Sequence, residues 1–191
     1  MGKVISVTSG FATCRISKLN NDFMNRLKTL YHASPNSEID IFEPRNESIR
    51  NVGEGPVVFA TPDKALASTF LVPSDESWVL VDRWSESGEA GPWHVIVKSR
   101  YKFMRLDSGG AIYHLPGDGF IYRPDEGLGE NEWISTEKVR PLKKEIVEFG
   151  LKAMIENGVE VYFVGRRVYR EIKKSEDDGM EIVSKLKPES L

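Results

Sequence analysis

The sequence predicts an α+β fold, with many short strands and two or three helices in a single domain. Short strand-like runs are separated by Gly, Pro and Ser, which favours strands joined by turns. Two segments carry helical signals instead, one starting at Thr61 and one covering residues 142–156. Because strands and helices do not alternate along the chain, we do not expect a parallel doubly wound sheet.

Composition places the chain among ordinary globular proteins. Its 191 residues are 40% hydrophobic and 29% charged, with a net charge of −3 that gives no general attraction to nucleic acid or anionic membranes. The single cysteine, Cys14, excludes an internal disulfide framework, and with three scattered histidines a structural zinc site is not expected. The sequence has no apolar run of about 18 residues and no recognisable secretory signal, so we expect a cytoplasmic protein.

The first elements in order are an extension and a histidine-bearing strand. Residues 1–24 combine a short apolar run with polar residues and are expected to form an N-terminal extension. Residues 30–34, Leu-Tyr-His-Ala-Ser, then place His32 on a short apolar run that is ended by turn formers. Such a segment can hold an imidazole at the mouth of a pocket.

A second strand runs directly into a helix. Residues 57–60 predict a buried strand, and Thr61 is expected to be the N-cap of the following helix. Pro62 suits the first helical position and Asp63 favours the positive end of the helix dipole. Apolar residues up to Phe70 provide packing before a proline ends the helix.

The chain after Pro73 alternates short strands with turns and contains one longer helical pattern. Residues 142–156 are predicted to form an amphipathic helix, and an acidic loop is expected over residues 124–130. Residues 175–191 are expected to be a polar C-terminal tail. The strand-like runs are residues 78–81, 93–97, 102–106, 111–115, 120–122, 133–135 and 159–164.

Three short blocks, in this order along the chain, resemble the ADP-ribosyltransferase superfamily, including its poly-ADP-ribose polymerase branch. Members place a histidine at the end of one strand, an aromatic residue on a second strand that runs into a helix, and a glutamate near a late strand. The corresponding residues here are His32, Phe59 and Glu132. The resemblance implies two small antiparallel sheets around a cleft, with flanking helices, over residues 25–174.

The resemblance also implies a reaction, in which NAD is consumed as a substrate without a metal and ADP-ribose passes to an acceptor. Cleavage at the nicotinamide–ribose bond develops an oxocarbenium-like centre that a carboxylate can stabilise. By resemblance, His32 would bond a ribose hydroxyl, Glu132 would bond the nicotinamide-ribose 2′-hydroxyl, and Glu130 would face a protein, nucleic-acid or small-molecule acceptor. The implied NAD-binding residues are His32, Ser34, Arg45, Phe59, Thr61 and Phe70.

The sequence departs from the polymerase pattern at one position and leaves other interpretations open. Val58 stands where that branch has a tyrosine, so stacking on nicotinamide falls to Phe59, Tyr31 or Phe70, or to none of them. A catalytically inactive nucleotide-binding or interaction module is one alternative, and structural roles for the histidine, the acids and the aromatics are another. A nucleic-acid adaptor is a third, based on a basic cluster of Arg166, Arg167, Arg170, Lys173 and Lys174.

Overall fold

The computed structural model of the protein describes residues 29–46, 55–86, 89–123 and 131–191. Within these ranges the chain has the predicted α+β character, with small sheets and a few short helices. The strands are β1 (Thr29–Ser34), β2 (Val58–Ala60), β3 (Val79–Asp82), β4 (Ser85–Glu86), β5 (Glu89–Ala90), β6 (His94–Val97), β7 (Gly110–Pro116), β8 (Ile121–Tyr122), β9 (Trp133–Ser135), β10 (Lys143–Val147) and β11 (Glu160–Phe163). The helices are α1 (Lys64–Ser68), α2 (Arg100–Leu106), α3 (Gly150–Glu156), α4 (Arg166–Ile172) and α5 (Met180–Val183).

The described strands pair into three three-stranded sheets and one two-stranded ribbon. Two sheets, with the orders β1-β7-β10 and β2-β9-β8, are antiparallel, as the sequence predicts. The third sheet, β11-β6-β3, is an addition to the two expected, and β11 pairs with β6 in parallel. All four residues of β6 are buried, which suits a central strand with neighbours on both edges.

The two antiparallel sheets are joined where the middle of β1 meets the residue that follows β2. Tyr31 and Thr61 exchange two backbone hydrogen bonds, with N···O distances of 2.7 and 2.9 Å. A shared apolar cluster buries Leu30, Tyr113 and Trp133 between the sheets. This junction fixes the histidine strand beside the start of the helix that follows β2.

Two local predictions are wrong. Residues 142–156, predicted as one helix, form β10 followed by α3, because β10 pairs along β7 from Lys143 to Val147. Sheet pairing therefore overrides a helical pattern of apolar residues. Residues 102–106, predicted as a strand, belong to α2, where the Ser99 hydroxyl accepts a hydrogen bond from the backbone N–H of Lys102.

The C-terminal residues 175–191 are packed on the domain, whereas the sequence predicts a polar tail. Val183 of α5 is 1% exposed within an apolar cluster. The backbone N–H of Glu189 donates to the carbonyl of Val161 at 2.8 Å, and its carboxylate accepts two hydrogen bonds from Arg100 at 2.7 Å. The segment is mostly polar, so its sequence predicts a tail, but a few apolar side chains pack it against the domain.

The predicted N-terminal extension, residues 1–24, lies outside the described residues. Among the helices that the structure describes, none is long and apolar enough to cross a membrane. Within the same ranges, no group of three or more His, Cys, Asp or Glu side chains is placed to hold a metal ion.

Candidate functional site

A cleft of about 230 Å³ lies where β1, β2, α1 and the start of β9 meet. It brings His32 and Glu132 to one cavity, although they are far apart in the sequence. Its walls are mostly apolar, and these two residues contribute its titratable side chains together with the Tyr31 phenol. The lining residues are Tyr31, His32, Ala33, Phe59, Ala60, Thr61, Ala67, Phe70, Asn131 and Glu132.

His32 is held in a defined orientation by β2 and a neighbouring ring. Its Nδ1 lies 2.8 Å from the carbonyl oxygen of Phe59, and its ring centroid is 4.6 Å from that of Phe42. A carbonyl only accepts, so Nδ1 carries the proton and Nε2 of the neutral imidazole is an acceptor. Burial lowers the pKa of His32, with the hydrogen bond to Phe59 opposing this and the positive charge of Arg45 reinforcing it. The histidine is therefore neutral at pH 7 and presents an acceptor to a hydroxyl.

Glu132 is fixed at the rim of the second sheet. It directly precedes β9, and its carbonyl oxygen accepts a hydrogen bond from the backbone N–H of Arg123 at 3.0 Å. Only 2% of the residue is exposed, and it lines the cleft. A largely desolvated carboxylate at this position interacts more strongly with a nearby positive charge than it would in water.

A second cavity of about 220 Å³ adjoins the first, because His32 and Phe59 line both. Ser34 and Arg45 line this second cavity and not the first. Arg45 is tied to the protein through backbone hydrogen bonds with Val57 at 3.1 and 3.2 Å. The residues predicted from the resemblance thus lie on two sides of His32, with the Ser34 hydroxyl and the Arg45 guanidinium on one side and the Glu132 carboxylate on the other.

The three candidate stacking aromatics all line the first cavity, whereas Val58 does not. Alternation along β2 turns Val58, which is 4% exposed, into the apolar core and turns Phe59 to the cleft. Phe70 is 50% exposed and reaches the same cleft from the turn after α1. The aromatic walls of the cleft are therefore Tyr31, Phe59 and Phe70, and Val58 does not contribute to them.

Asp63, not Thr61, is the N-cap of α1. One carboxylate oxygen of Asp63 accepts hydrogen bonds from the backbone N–H groups of Ala65 and Leu66 at 2.9 and 3.3 Å. The other accepts from the indole of Trp93 at 2.7 Å and from Arg83 at 3.1 Å. Asp63 thereby holds the helix that supplies one wall of the cleft, a role that the sequence pattern did not predict.

Thr61 has a different local role from the predicted cap. Its hydroxyl accepts a hydrogen bond from the backbone N–H of Asp63 at 3.1 Å, and it lines the cleft. The local signal for the true cap was present, since an aspartate followed by a run of helix-forming residues is a common helix start. Its long-range bonds to Trp93 and Arg83 had no such signal.

One candidate residue lies outside the described ranges, and the two histidines to which the sequence assigns no role lie away from the cleft. Glu130 lies outside the described residues. His94 and His114 line neither of the two cavities beside His32. Each pairs with a carboxylate outside them, His94 with Glu160 and His114 with Glu145.

The lowered pKa of His32 predicts acid sensitivity of folding. Below its ordinary pKa of 6.5, the unfolded chain takes up a proton that the folded chain resists, so the free energy of unfolding should fall as pH decreases through this range. His94, whose pKa burial also lowers, acts in the same direction. Urea unfolding at about pH 7.5 and about pH 5.5 should therefore show a smaller decrease for His32→Gln than for the wild type. An equal decrease in both proteins would contradict this interpretation.

Comparison with known proteins yields no relative. No family model matches the chain, and neither does a curated protein or a solved structure.

Proposed function

We propose that the protein is an ADP-ribosyltransferase-like enzyme that cleaves NAD and transfers ADP-ribose to an acceptor. The observation that carries this proposal is the meeting of His32 and Glu132 in one cleft beside Phe59. Two antiparallel sheets that meet beside this cleft support the same fold family. The resemblance in three short sequence blocks thus agrees with an arrangement in space.

The proposed reaction breaks the bond between C1′ of the ribose and the nicotinamide nitrogen. The electron pair of this bond leaves with nicotinamide, and the ribose develops oxocarbenium character. Glu132, almost fully removed from water, would accept a hydrogen bond from the 2′-hydroxyl and stabilise the positive charge. A nucleophile of the acceptor then bonds to C1′ and loses its proton, which completes the transfer.

Binding would use the two adjoining cavities on either side of His32. Nε2 of His32, an acceptor in the neutral imidazole, would take a hydrogen bond from a ribose hydroxyl. The aromatic walls at Phe59 and Phe70 suit the flat nicotinamide ring. On the other side, the Arg45 guanidinium and the Ser34 hydroxyl suit the diphosphate.

Nicotinamide release and thermal unfolding test this proposal together. NAD should raise the melting temperature of the protein, since a ligand at about 100 times its Kd stabilises the folded state by about 2.7 kcal/mol. Chromatography should also detect nicotinamide formed from NAD. A raised melting temperature without nicotinamide would favour a non-catalytic NAD-binding module. Absence of both effects would contradict NAD as the ligand.

A further inference from the structure

A groove of about 550 Å³ beside α4 is separate from both cavities at His32, since it shares no lining residue with them. It is lined by Lys98, Arg166, Tyr169, Arg170, Lys173 and Lys174. Five of these six residues are cationic, and the sixth, Tyr169, is 4% exposed. A protein with a net charge of −3 thus concentrates positive charge at one place on its surface.

Most of the cations in this groove form no ion pair within the described residues. Lys98 donates to the carbonyl oxygen of Ser77 at 2.6 Å, and Lys173 donates to that of Glu76 at 3.2 Å. Both acceptors are backbone carbonyl oxygens. Among the residues that the structure describes, Arg166, Arg170 and Lys174 form no ion pair.

Arg167 provides a contrast on the same helix. Its Nε lies 2.9 Å from a carboxylate oxygen of Glu171, one turn along α4, and it does not line the groove. The basic cluster noted in the sequence therefore separates into a paired arginine and four residues that share the groove with Lys98. Arg167 therefore differs from Arg166 and Arg170 both in having a carboxylate partner and in its position outside the groove.

The spacing of the cations fits an extended anion. Arg166 and Arg170 are four residues apart and share one face of α4, with Lys173 and Lys174 at its end. At about 1.5 Å per residue, residues 166–174 extend over about 12 Å. This length is enough for the cations to meet more than one phosphate of an extended strand, as in charged grooves that follow a nucleic-acid backbone.

An exposed aromatic side chain follows one of the groove residues closely in the sequence. Tyr101, on the first turn of α2, is 76% exposed and lies three residues after Lys98, which places their Cα atoms within about 11 Å. A positively charged groove combined with an exposed aromatic ring is typical of proteins that bind single strands, since bases stack on the ring. The other tyrosine, Tyr169, lines the groove itself. Burial raises the pKa of the Tyr169 phenol, and the nearby carboxylates of Asp75 and Glu76 raise it further.

We propose that this groove binds the phosphate backbone of a single-stranded nucleic acid, with Tyr101 stacking on a base. The inference does not depend on NAD cleavage, since none of these residues lines the proposed active site. Its test is therefore carried out without NAD. If the groove binds no nucleic acid, the proposed cleavage of NAD is unaffected. If NAD is not cleaved, the proposed binding of nucleic acid is likewise unaffected.

The test measures binding of fluorescent dT and U strands of about 12 nucleotides to the full chain by anisotropy at several salt concentrations. Arg166→Gln with Arg170→Gln should weaken binding by about tenfold or more, and should reduce the slope of log K against log salt by about 0.7 for each phosphate that is no longer neutralised. Arg167→Gln, the matched control, should change neither quantity. Tyr101→Ala should weaken binding without changing the salt slope, because stacking releases no counterions.

Three results would overturn the proposal. One is no binding of either strand at low salt by wild-type protein that shows a cooperative unfolding transition. Another is equal weakening by Arg167→Gln and by the double variant, since this would indicate a diffuse charge effect. The last is binding to phosphatidylserine vesicles with no binding to the oligonucleotides, which would assign the groove to an anionic membrane.

Discussion

Glu132→Gln should reduce nicotinamide release from NAD by about 10²–10³-fold, the loss typical when one electrostatic stabiliser of a transition state is removed. Glutamine keeps the size and a hydrogen-bonding oxygen of the side chain, but it removes the negative charge opposite the developing cation. Because NAD itself also carries a positive nicotinamide ring, some loss of affinity is expected beside the loss of rate. Single-turnover kinetics at saturating NAD separate the two effects.

The matched control is Glu137→Gln, which removes an exposed carboxylate a few residues along the same chain segment. It should leave nicotinamide release unchanged. Circular dichroism and thermal unfolding of Glu132→Gln establish that the comparison is made between folded proteins. If the variant loses thermal stability but releases nicotinamide at the wild-type rate, Glu132 is a structural carboxylate and the proposed mechanism is wrong.

The sequence predicts the strands of this fold better than its helices. Residues 133–135 and 111–115 are short apolar runs bounded by turn formers, and the structure forms β9 and β7 there. Such runs identify themselves locally because turn residues mark their ends. The longest helical pattern fails at residues 142–147, where pairing with β7 supplies backbone hydrogen bonds that the local pattern does not reveal.

The candidate site shows the same division between local and long-range information. His32 and Phe59 could be assigned to strands, but only contacts in the folded chain, such as the bond between Nδ1 of His32 and the Phe59 carbonyl, show that the strands are adjacent. Likewise, the sequence alone does not show which of the apolar residues Val58 and Phe59 faces the core. The packing of one face of β2 against the apolar cluster decides this. The resemblance identified Glu132 as the acidic partner of His32. That only 2% of Glu132 is exposed is seen only in the folded chain.

Asp63→Ala should lower the free energy of unfolding by about 2–4 kcal/mol, which is large for a side chain that is partly exposed. About 1 kcal/mol comes from losing the N-cap of α1, and about 1–3 kcal/mol from leaving the buried indole N–H of Trp93 without its acceptor. Urea unfolding measures the change. Because α1 carries Ala67 into the cleft wall, the variant should also bind NAD more weakly than wild type at a temperature where both are folded.

Two further variants divide this effect into its parts. Asp63→Asn keeps an oxygen for the N–H groups of Ala65 and Leu66 but turns an amide NH₂ toward Trp93, so it should lose about half as much stability as Asp63→Ala. Asp75→Ala is the comparison variant, since Asp75 also accepts a hydrogen bond from a buried indole, that of Trp78, but does not cap a helix. If Asp75→Ala is as destabilising as Asp63→Ala, the loss of an indole acceptor alone accounts for the effect, and the N-cap of α1 adds nothing measurable. The cleft wall would then owe its position to packing of α1 and not to its cap.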